Sequence, residues 1–417
     1  MKILDTRNKK FTAEFSRLLK ARAGFKAGLE GKVEKIFSAV EKRGLRAVLE
    51  FARKIDGFSG TEKELRVRAK ELNSAEKELS ANQIQAMQLA RKRIERFHQG
   101  QAPDGYIIKE EESFSELRWI PLQSVGIYIP GGKAPLASTV LMAAIPAQIA
   151  GVKRIAMVTP ADRGGEIHPA ILFAAKLTGV EEIYRVGGAH AIALLSLGAG
   201  RIQKVDKIVG PGGLWVSAAK VYAQSKGLAG IDTLAGPSEI AILADGSAPA
   251  EFAIADLKAQ LEHGQGGWAF LISTNADYLE KIKSGWKLRG KNLFLIHSRS
   301  EQEMIELANR IAPEHLEIHT AEPEQLLAGL TGPAAIYVGA DSPVAAGDYL
   351  AGPNHCLPTG GRAAFDSPLG VWDFMKRQSV VRLSEEMIKI LGKPAAEFAE
   401  LEGLLEHSRS LTIRIKG

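Results

Sequence analysis

Hydrophobic residues recur at helical spacing along residues 28–98. The i, i+3, i+4, i+7 pattern of one helix face is formed by Val33, Ile36, Phe37 and Val40. It predicts a helical N-terminal segment, which residues 56–60 interrupt as a glycine-containing loop. A further helix is predicted to start near Ser74 and to run towards His98.

From residue 118 onwards the pattern changes to short apolar runs rich in β-branched residues. Most are followed by a Gly/Pro-rich turn and an Ala/Leu-rich stretch, which is typical of βαβ units and parallel sheets. The predicted strands are 125–129, 154–158, 182–186 and 207–209, then 239–243, 269–272, 293–296 and 335–338. We therefore predict an α/β fold with two Rossmann-like sheets, between which the chain crosses at 232–238. After Asp366 the sequence is polar and predicts a small helical tail.

Composition narrows the class of protein. A chain of 417 residues with 45% hydrophobic and 24% charged residues is long enough for two to four globular domains. Residues 1–100 hold 24 of the 54 Lys and Arg residues but 13 of the 48 acidic ones. This basic excess is interleaved with Glu at helical spacing, so we interpret it as a solvated helix face and predict no nucleic-acid partner.

The cysteine count and the apolar runs indicate in which compartment the protein works. The single cysteine, Cys356, excludes a disulfide within the chain and a cysteine-based zinc finger. The longest charge-free run, 134–152, contains Pro135 and Pro146 and predicts a buried helix rather than a membrane span. No secretory signal is apparent at the start. We predict a cytoplasmic protein with no membrane partner.

Glycine-rich turns follow or precede several predicted strands. In α/β sheets ligands bind beyond the carboxyl ends of strands, so these turns are candidate binding loops. They cover residues 130–132, 187–190, 210–213, 235–239 and 352–355. None has the G-x-G-x-x-G spacing of a dinucleotide fingerprint or the Gly-Lys-Ser/Thr ending of a phosphate loop.

Four side chains could form a metal site. Gln260 and His263 are three residues apart at the end of a predicted helix and therefore share one of its faces. Asp348 could ligate zinc or cap a helix. His407, considered by itself, is interpreted as a surface histidine. One Gln, two His and one Asp together form an N/O donor set without cysteine, which suits an exchangeable, substrate-binding zinc.

Glu314 and His315 follow Ala312-Pro313 at a predicted helix-to-strand junction. An adjacent carboxyl and imidazole suit paired proton transfers, because the two groups can be held at different pKa values. A solvated loop is the alternative interpretation of this pair.

Six segments, in order, resemble the histidinol dehydrogenase family. They are VGIYIPGGKAPL from Val125, KVDKIVGPG from Lys204, AGPSE from Ala235, QLEHG from Gln260, APEHLE from Ala312 and GPNHCLPTGG from Gly352. The resemblance spans nearly the whole chain, up to the tail that contains Glu402 and His407.

The resemblance implies oxidation of the amino alcohol histidinol to an amino acid through an aldehyde, with NAD as hydride acceptor and one zinc per subunit. It implies that His315 removes the alcohol proton and that Glu314 activates the water that attacks the aldehyde. The zinc ligands implied are Gln260, His263, Asp348 and His407. These four, with Glu314, His315, Ser238 and Glu402, are also the implied substrate contacts.

The resemblance also implies a domain plan and a partner. An N-terminal extension of residues 1–24 precedes a first α/β domain made of 25–124 and 236–365, which carries the zinc and catalytic residues. Residues 125–235 form the second α/β domain, which lacks the glycine fingerprint and carries the dinucleotide contact Tyr128. The tail, 366–417, is exchanged in a homodimer with shared active sites, so Glu402 and His407 would come from the second subunit.

Two positions depart from the family pattern on the dinucleotide side. His190 stands where the family usually places Gln, and Gly213 where it usually places Asn. The segment between His263 and Glu314 is also shorter than usual. These departures leave two alternatives open: a related zinc-dependent dehydrogenase of another small alcohol or diol, and a zinc-dependent hydrolase or redox-inactive ligand-binding homologue.

Overall fold

The structure is a computed structural model, and it describes residues 3–22, 28–131, 134–234, 236–262, 266–287 and 292–415. Its strands are β1 (Ile3–Asp5), β2 (Tyr106–Glu110), β3 (Ser113–Pro121), β4 (Ser124–Tyr128), β5 (Arg154–Thr159), β6 (Glu182–Arg185), β7 (Lys207–Val209), β8 (Gly230–Ile231), β9 (Glu239–Ala244), β10 (Trp268–Ser273), β11 (Leu293–His297), β12 (His315–His319), β13 (Ala335–Val338) and β14 (Met375–Arg382).

The α-helices are α1 (Phe11–Arg22), α2 (Glu30–Arg43), α3 (Leu45–Phe51), α4 (Glu62–Leu65), α5 (Ala69–Ser74), α6 (Ala81–Gln99), α7 (Ala137–Ile149), α8 (Pro169–Leu177), α9 (Gly188–Leu197), α10 (Leu214–Ser225), α11 (Ala250–Glu262), α12 (Ala276–Gly285), α13 (Glu301–Ile311), α14 (Pro323–Leu327), α15 (Val344–Tyr349), α16 (Glu385–Leu401) and α17 (Leu405–Ile415). A π-helical turn covers Ala52–Asp56, and short 3₁₀ turns cover Ala75–Glu78, Arg362–Ala364 and Val371–Phe374.

A six-stranded parallel sheet has the order β1-β11-β10-β9-β12-β13. Alternate residues of its central strands face two hydrophobic cores. One core lies under α1, α13 and α14 and contains Leu243 and Leu316, and the other lies under α11, α12 and α15 and contains Ile240 and Ile242. Because both faces are covered, β9, β10 and β11 are largely continuous apolar runs, as the sequence pattern indicated, whereas β12 alternates polar and apolar residues.

A five-stranded parallel sheet has the order β6-β5-β4-β7-β8. Helix α7 is almost entirely buried, which confirms the buried helix predicted from the charge-free run. The helices of residues 30–56 share a core with α9 and α10 on this sheet, whereas the sequence grouped them with the strands after residue 236. The predicted fold class, α/β with two parallel sheets, is confirmed.

The chain divides into two compact units. One consists of Met1–Gln101 and Leu122–Phe374, and it contains both parallel sheets. The other, here called the C-terminal unit, consists of Ala102–Pro121 and Met375–Gly417. It contains α16, α17 and a three-stranded antiparallel sheet of order β14-β3-β2. The predicted helical tail is confirmed by α16 and α17, and the strand β14, which was not predicted, precedes them.

Candidate active site

Glu314 and His315 lie at the amino end of β12, directly after α13. The connection is made by Ala312, which adopts the left-handed backbone conformation with φ 43°. Glu239 begins the neighbouring strand β9, and His315 pairs with Ile240 across the two strands. The acid–base pair thus lies at the amino ends of these strands, in contrast to the carboxyl-end position typical of α/β sheets.

The backbone of Glu239 holds both members of the pair. Its N–H donates to Oε2 of Glu314 at 2.9 Å, and its carbonyl oxygen accepts from Nδ1 of His315 at 3.2 Å. Since a carbonyl can only accept, Nδ1 of His315 carries the proton. Nε2 is then the basic nitrogen, and it has no hydrogen-bond partner among the described residues.

Burial sets the protonation of the two side chains in opposite directions. Glu314 and His315 are 7% and 4% exposed. Burial raises the pKa of the Glu314 carboxyl well above its usual value, and the nearby Glu239 and Asp348 carboxylates add to this effect. Burial lowers the pKa of His315 to about 4, against the opposing effect of Asp348. His315 is therefore neutral near pH 7, as a general base must be.

Arg22 forms a buried ion pair with the Glu239 side chain. Nε of Arg22 lies 3.2 Å from Oε1 of Glu239, and both side chains are almost fully buried. Nη2 of Arg22 also donates to the carbonyl of Ile311, the last residue of α13. One guanidinium therefore connects the strand that holds the acid–base pair to the helix that precedes it. Sequence reasoning assigned no role to either residue of this pair.

Asp348 on α15 brings a carboxylate to the same place. Its Oδ1 lies 4.0 Å from Nε2 of His315 and 3.9 Å from Nδ1 of His355. His355 also hydrogen-bonds through Nδ1 to the Asp348 carbonyl at 2.9 Å, which ties α15 to the 352–355 turn. Gln260, near the end of α11, is 3% exposed and its Nε2 lacks a partner among the described residues. Helices α11 and α15 contact each other.

The structure describes the remaining predicted site residues unevenly. Ser238, directly before β9, is half-buried. His263 lies outside the described residues. Glu402 and His407 belong to the C-terminal unit, where both are exposed.

On the dinucleotide side, the predicted contacts surround the carboxyl ends of the five-stranded sheet. Tyr128 ends β4, and its hydroxyl accepts from the N–H of Gly188 at 3.2 Å. His190 is fully buried and its Nε2 lies 3.0 Å from Oδ2 of Asp56, which also accepts from the N–H of Gly187. The His190 ring thus contacts the Asp56 carboxylate, a partner that the sequence did not predict.

The second glycine turn is held by a different buried pair. Nζ of Lys220 contacts Oδ1 of Asp232 at 2.5 Å and the Gly210 carbonyl at 2.6 Å, while Oδ2 of Asp232 accepts from the Gly210 N–H at 2.7 Å. Gly213 is exposed at the start of α10, and open space surrounds the position where a Cβ would lie.

Within the described ranges, no helix has the length and hydropathy needed to cross a bilayer.

Comparison with known proteins gives a consistent result. The family model described as histidinol dehydrogenase matches residues 20–415. A curated histidinol dehydrogenase of Syntrophotalea carbinolica is 41% identical over 93% of this chain and 93% of its own length, and that of Geobacter sulfurreducens is 40% identical over 100% of both. The crystal structure of histidinol dehydrogenase from Elizabethkingia anophelis superposes with a TM-score of 0.92 at 34% identity, covering 100% of this chain and 98% of the other.

Proposed function

The chain belongs to the histidinol dehydrogenase family, and from this premise we propose how its own residues carry out the oxidation. It is an oxidoreductase of histidine biosynthesis. The proposed reaction converts L-histidinol to L-histidine through the aldehyde. The alcohol loses a hydride to NAD and a proton, and the hydrated aldehyde then loses a second hydride to NAD. Two NAD are thus reduced and one water is consumed per substrate.

The orientation of His315 is the observation that carries this proposal. Its Nδ1–H is held by the Glu239 carbonyl, so the unpartnered Nε2 presents a lone pair to the site. In the first oxidation Nε2 takes the hydroxyl proton as the hydride leaves the carbon. The Asp348 carboxylate, 4.0 Å from Nε2, stabilises the positive charge that develops on the ring.

Glu314 acts at the aldehyde stage. Its carboxyl is nearly fully buried and its pKa is raised by burial, so it is a stronger base than an exposed carboxylate. We propose that it removes a proton from the water that attacks the aldehyde carbon. The N–H of Glu239, 2.9 Å from its Oε2, keeps the carboxyl next to His315 for this step.

The donor set fits a zinc ion. The side chain of Gln260 is buried, and its amide nitrogen lacks a hydrogen-bond partner among the described residues. Asp348 lies on α15, which contacts α11, the helix that carries Gln260. Together with His263 and His407 they would supply nitrogen and oxygen donors, which zinc accepts. The ion, when bound, would hold and orient the amino and imidazole nitrogens of the substrate. Ser238 and Glu402 are the proposed further substrate contacts.

NAD is proposed to bind at the carboxyl ends of the five-stranded sheet. Tyr128 and the 187–190 turn are joined there by the Gly188-to-Tyr128 hydrogen bond, which supports a formed binding loop. Of the two positions that depart from the family pattern, Gly213 is exposed and His190 is buried against Asp56. We therefore propose that the backbone at the amino end of α9, rather than the His190 ring, contacts the dinucleotide.

A homodimer is proposed from the surface of the C-terminal unit. Its two helices bury few of their own residues, and many of their large apolar side chains are exposed. The exposed set is Ile390, Leu391, Phe398, Leu401, Leu404, Leu405 and Ile413. An apolar surface of this extent is typical of one that packs against another subunit.

The domain boundaries predicted from the family resemblance and the cytoplasmic location remain predictions.

The decisive experiment follows NADH formation with purified protein, Zn²⁺, NAD and L-histidinol, beside a panel of other small alcohols and diols. We expect two NADH per histidinol and little turnover of the panel. His315→Asn should slow the reaction by about 10²–10⁴. His168→Asn is the matched control, because His168 is exposed and Asn preserves its role as the N-cap of α8. Faster turnover of a panel alcohol would identify a different dehydrogenase, and no NADH with any alcohol would favour the hydrolase or binding-protein alternative.

A further inference from the structure

One face of β12 is both polar and buried. His315, Glu317 and His319 alternate along the strand and therefore point to the same side of the sheet. On the neighbouring strand β9 the paired residues are Ile240, Ile242 and Ala244, which belong to the core under α11, α12 and α15. Glu317 and His319 are each 0% exposed. The proposed chemistry uses His315 but gives no role to the other two.

Asp256 of α11 completes a cluster with these two residues. Each of these residues offers one possible metal-ligating atom, and the three atoms, from Asp256, Glu317 and His319, lie within 4.8 Å of one another. Nε2 of His319 is 3.2 Å from Oε2 of Glu317. Asp256 lies one helical turn before Gln260 on the same face of α11, and the cluster shares no residue with the proposed zinc ligands.

Three buried polar atoms of this cluster lack hydrogen-bond partners among the described residues. Oε1 of Glu317 accepts from the N–H of Val344 at 2.7 Å, but its Oε2 has no hydrogen bond within the described part of the chain. The same holds for both ring nitrogens of His319. Buried polar groups are rarely left unsatisfied, and a neutral imidazole always has one N–H to place. An ion that accepts lone pairs from the imidazole and the carboxylates would satisfy these atoms.

We propose that Asp256, Glu317 and His319 bind a second metal ion, a divalent cation of the first transition row such as Zn²⁺, Mn²⁺ or Co²⁺. The ligand atoms are a carboxylate oxygen of Asp256, Oε2 of Glu317 and Nε2 of His319. The imidazole favours such an ion over Mg²⁺ or Ca²⁺, which prefer all-oxygen sites. A water molecule completes the coordination on the side of Asp256, which is only partly buried.

The role of this ion is structural. It joins α11, which carries Gln260, to β12, which carries His315, so it fixes the distance between the proposed zinc ligand and the proposed base. Glu317 and His319 are fully buried, so a metal held by them exchanges slowly. The cation is therefore supplied during refolding or expression rather than added to the folded protein.

The test compares metal content in full-length variants refolded with Co²⁺ and freed of excess metal. Wild type should retain two Co²⁺ per chain by mass spectrometry of the metal. Asp348→Asn, at the proposed zinc site, should retain one, and so should His319→Gln and Asp256→Asn. The combination of Asp348→Asn with His319→Gln should retain none. The visible absorption of Co²⁺ should differ between the two single-site proteins, because their ligand sets differ.

A second readout guards against unfolding of the variants. Co²⁺ should raise the Tm of Asp348→Asn but not that of Asp348→Asn combined with His319→Gln. If His319→Gln and Asp256→Asn both fail to fold, the test rests on Asp348→Asn: one retained Co²⁺ per chain supports the second site, and none overturns it. The proposal is overturned if Asp348→Asn retains no metal, or if wild type and folded His319→Gln hold equal amounts. Turnover of histidinol is scored separately, so failure of the proposed function leaves this result readable.

Discussion

The backbone carbonyl of Glu239 accepts a hydrogen bond from Nδ1 of His315 at 3.2 Å. This single contact fixes the tautomer of the imidazole and leaves Nε2 as the basic atom. Because the N–H of the same residue holds Glu314, the spacing between acid and base is set by the backbone of a single residue at the start of β9. Side chains that hold this strand in place should therefore affect activity without contacting substrate.

Substitutions in the acid–base pair should separate the two oxidations. His315→Asn removes the base and should slow the oxidation of both the alcohol and supplied aldehyde, by about 10²–10⁴ for each. Glu314→Gln keeps the size of the side chain but loses its basicity, so it should slow chiefly the aldehyde step. Stopped-flow measurement of NADH with each substrate distinguishes them. Aldehyde oxidation at the wild-type rate in Glu314→Gln would refute the role assigned to the carboxyl.

Arg22→Met should destabilise the protein and lower its activity together. The substitution leaves the Glu239 carboxylate buried without its counter-charge, and breaking a buried pair in this way costs about 3–5 kcal/mol of unfolding free energy. Adding Glu239→Gln should recover most of that loss, since both charges are then absent. The free energy of unfolding in urea and kcat report the two effects. The control is Arg46→Met, which breaks the solvent-exposed pair with Glu50 and should change neither quantity.

Retained stability in Arg22→Met would show that this ion pair does not hold β9. A loss of stability with unchanged kcat would show instead that the pair supports the fold and has no influence on the geometry of His315.

The sequence predicted the fold well wherever local pattern and burial agree. All eight predicted strands are present, because strands buried on both faces are continuous apolar runs. Strand β14 was missed, since its residues are largely exposed and polar, and its pairing partner β3 lies about 260 residues earlier. Local periodicity contains no information about a partner so distant.

The candidate site could be predicted only in part for a similar reason. The alternating sequence His-Leu-Glu-Ile-His of β12 is typical of a half-exposed strand, yet every residue is buried. The motif that contains Glu239 was recognised, but the contact of its backbone with His315 depends on sheet register. Likewise the contact of His190 with Asp56 could not be predicted, since the two residues lie 134 positions apart in sequence.

Gly213→Asn should strengthen binding of NAD. The position is exposed, and open space surrounds its Cβ, so an amide side chain can be added there without displacing a neighbour. We expect a lower KM for NAD and an unchanged KM for histidinol. His190→Gln should behave differently, because it breaks the contact with Asp56 and lowers Tm. A KM for NAD that does not fall in Gly213→Asn would mean that this position does not contact the dinucleotide.

Cys356 should resist alkylation in the folded protein. Its side chain is buried, and burial raises the pKa of the thiol well above its usual range, so the reactive thiolate is scarce at pH 8. Iodoacetamide should leave the native enzyme unmodified and active, and should modify the thiol once urea unfolds the chain. Mass spectrometry checks both states. Rapid native modification at pH 8 would contradict the burial of this residue.

The proposed exchange of tails between subunits has a quantitative consequence. If His407 serves the partner's site, then inactive His315→Asn and inactive His407→Ala should complement each other when their subunits exchange. A mixed dimer places both lesions in one site and leaves the other intact. Random pairing makes half of the dimers mixed, so activity should return to roughly a quarter of wild type. If each tail served its own chain, every site would keep one lesion and no activity would return. Subunit exchange is verified independently with a charge-tagged copy and native mass spectrometry, so a mixture that exchanges yet stays inactive refutes the shared site.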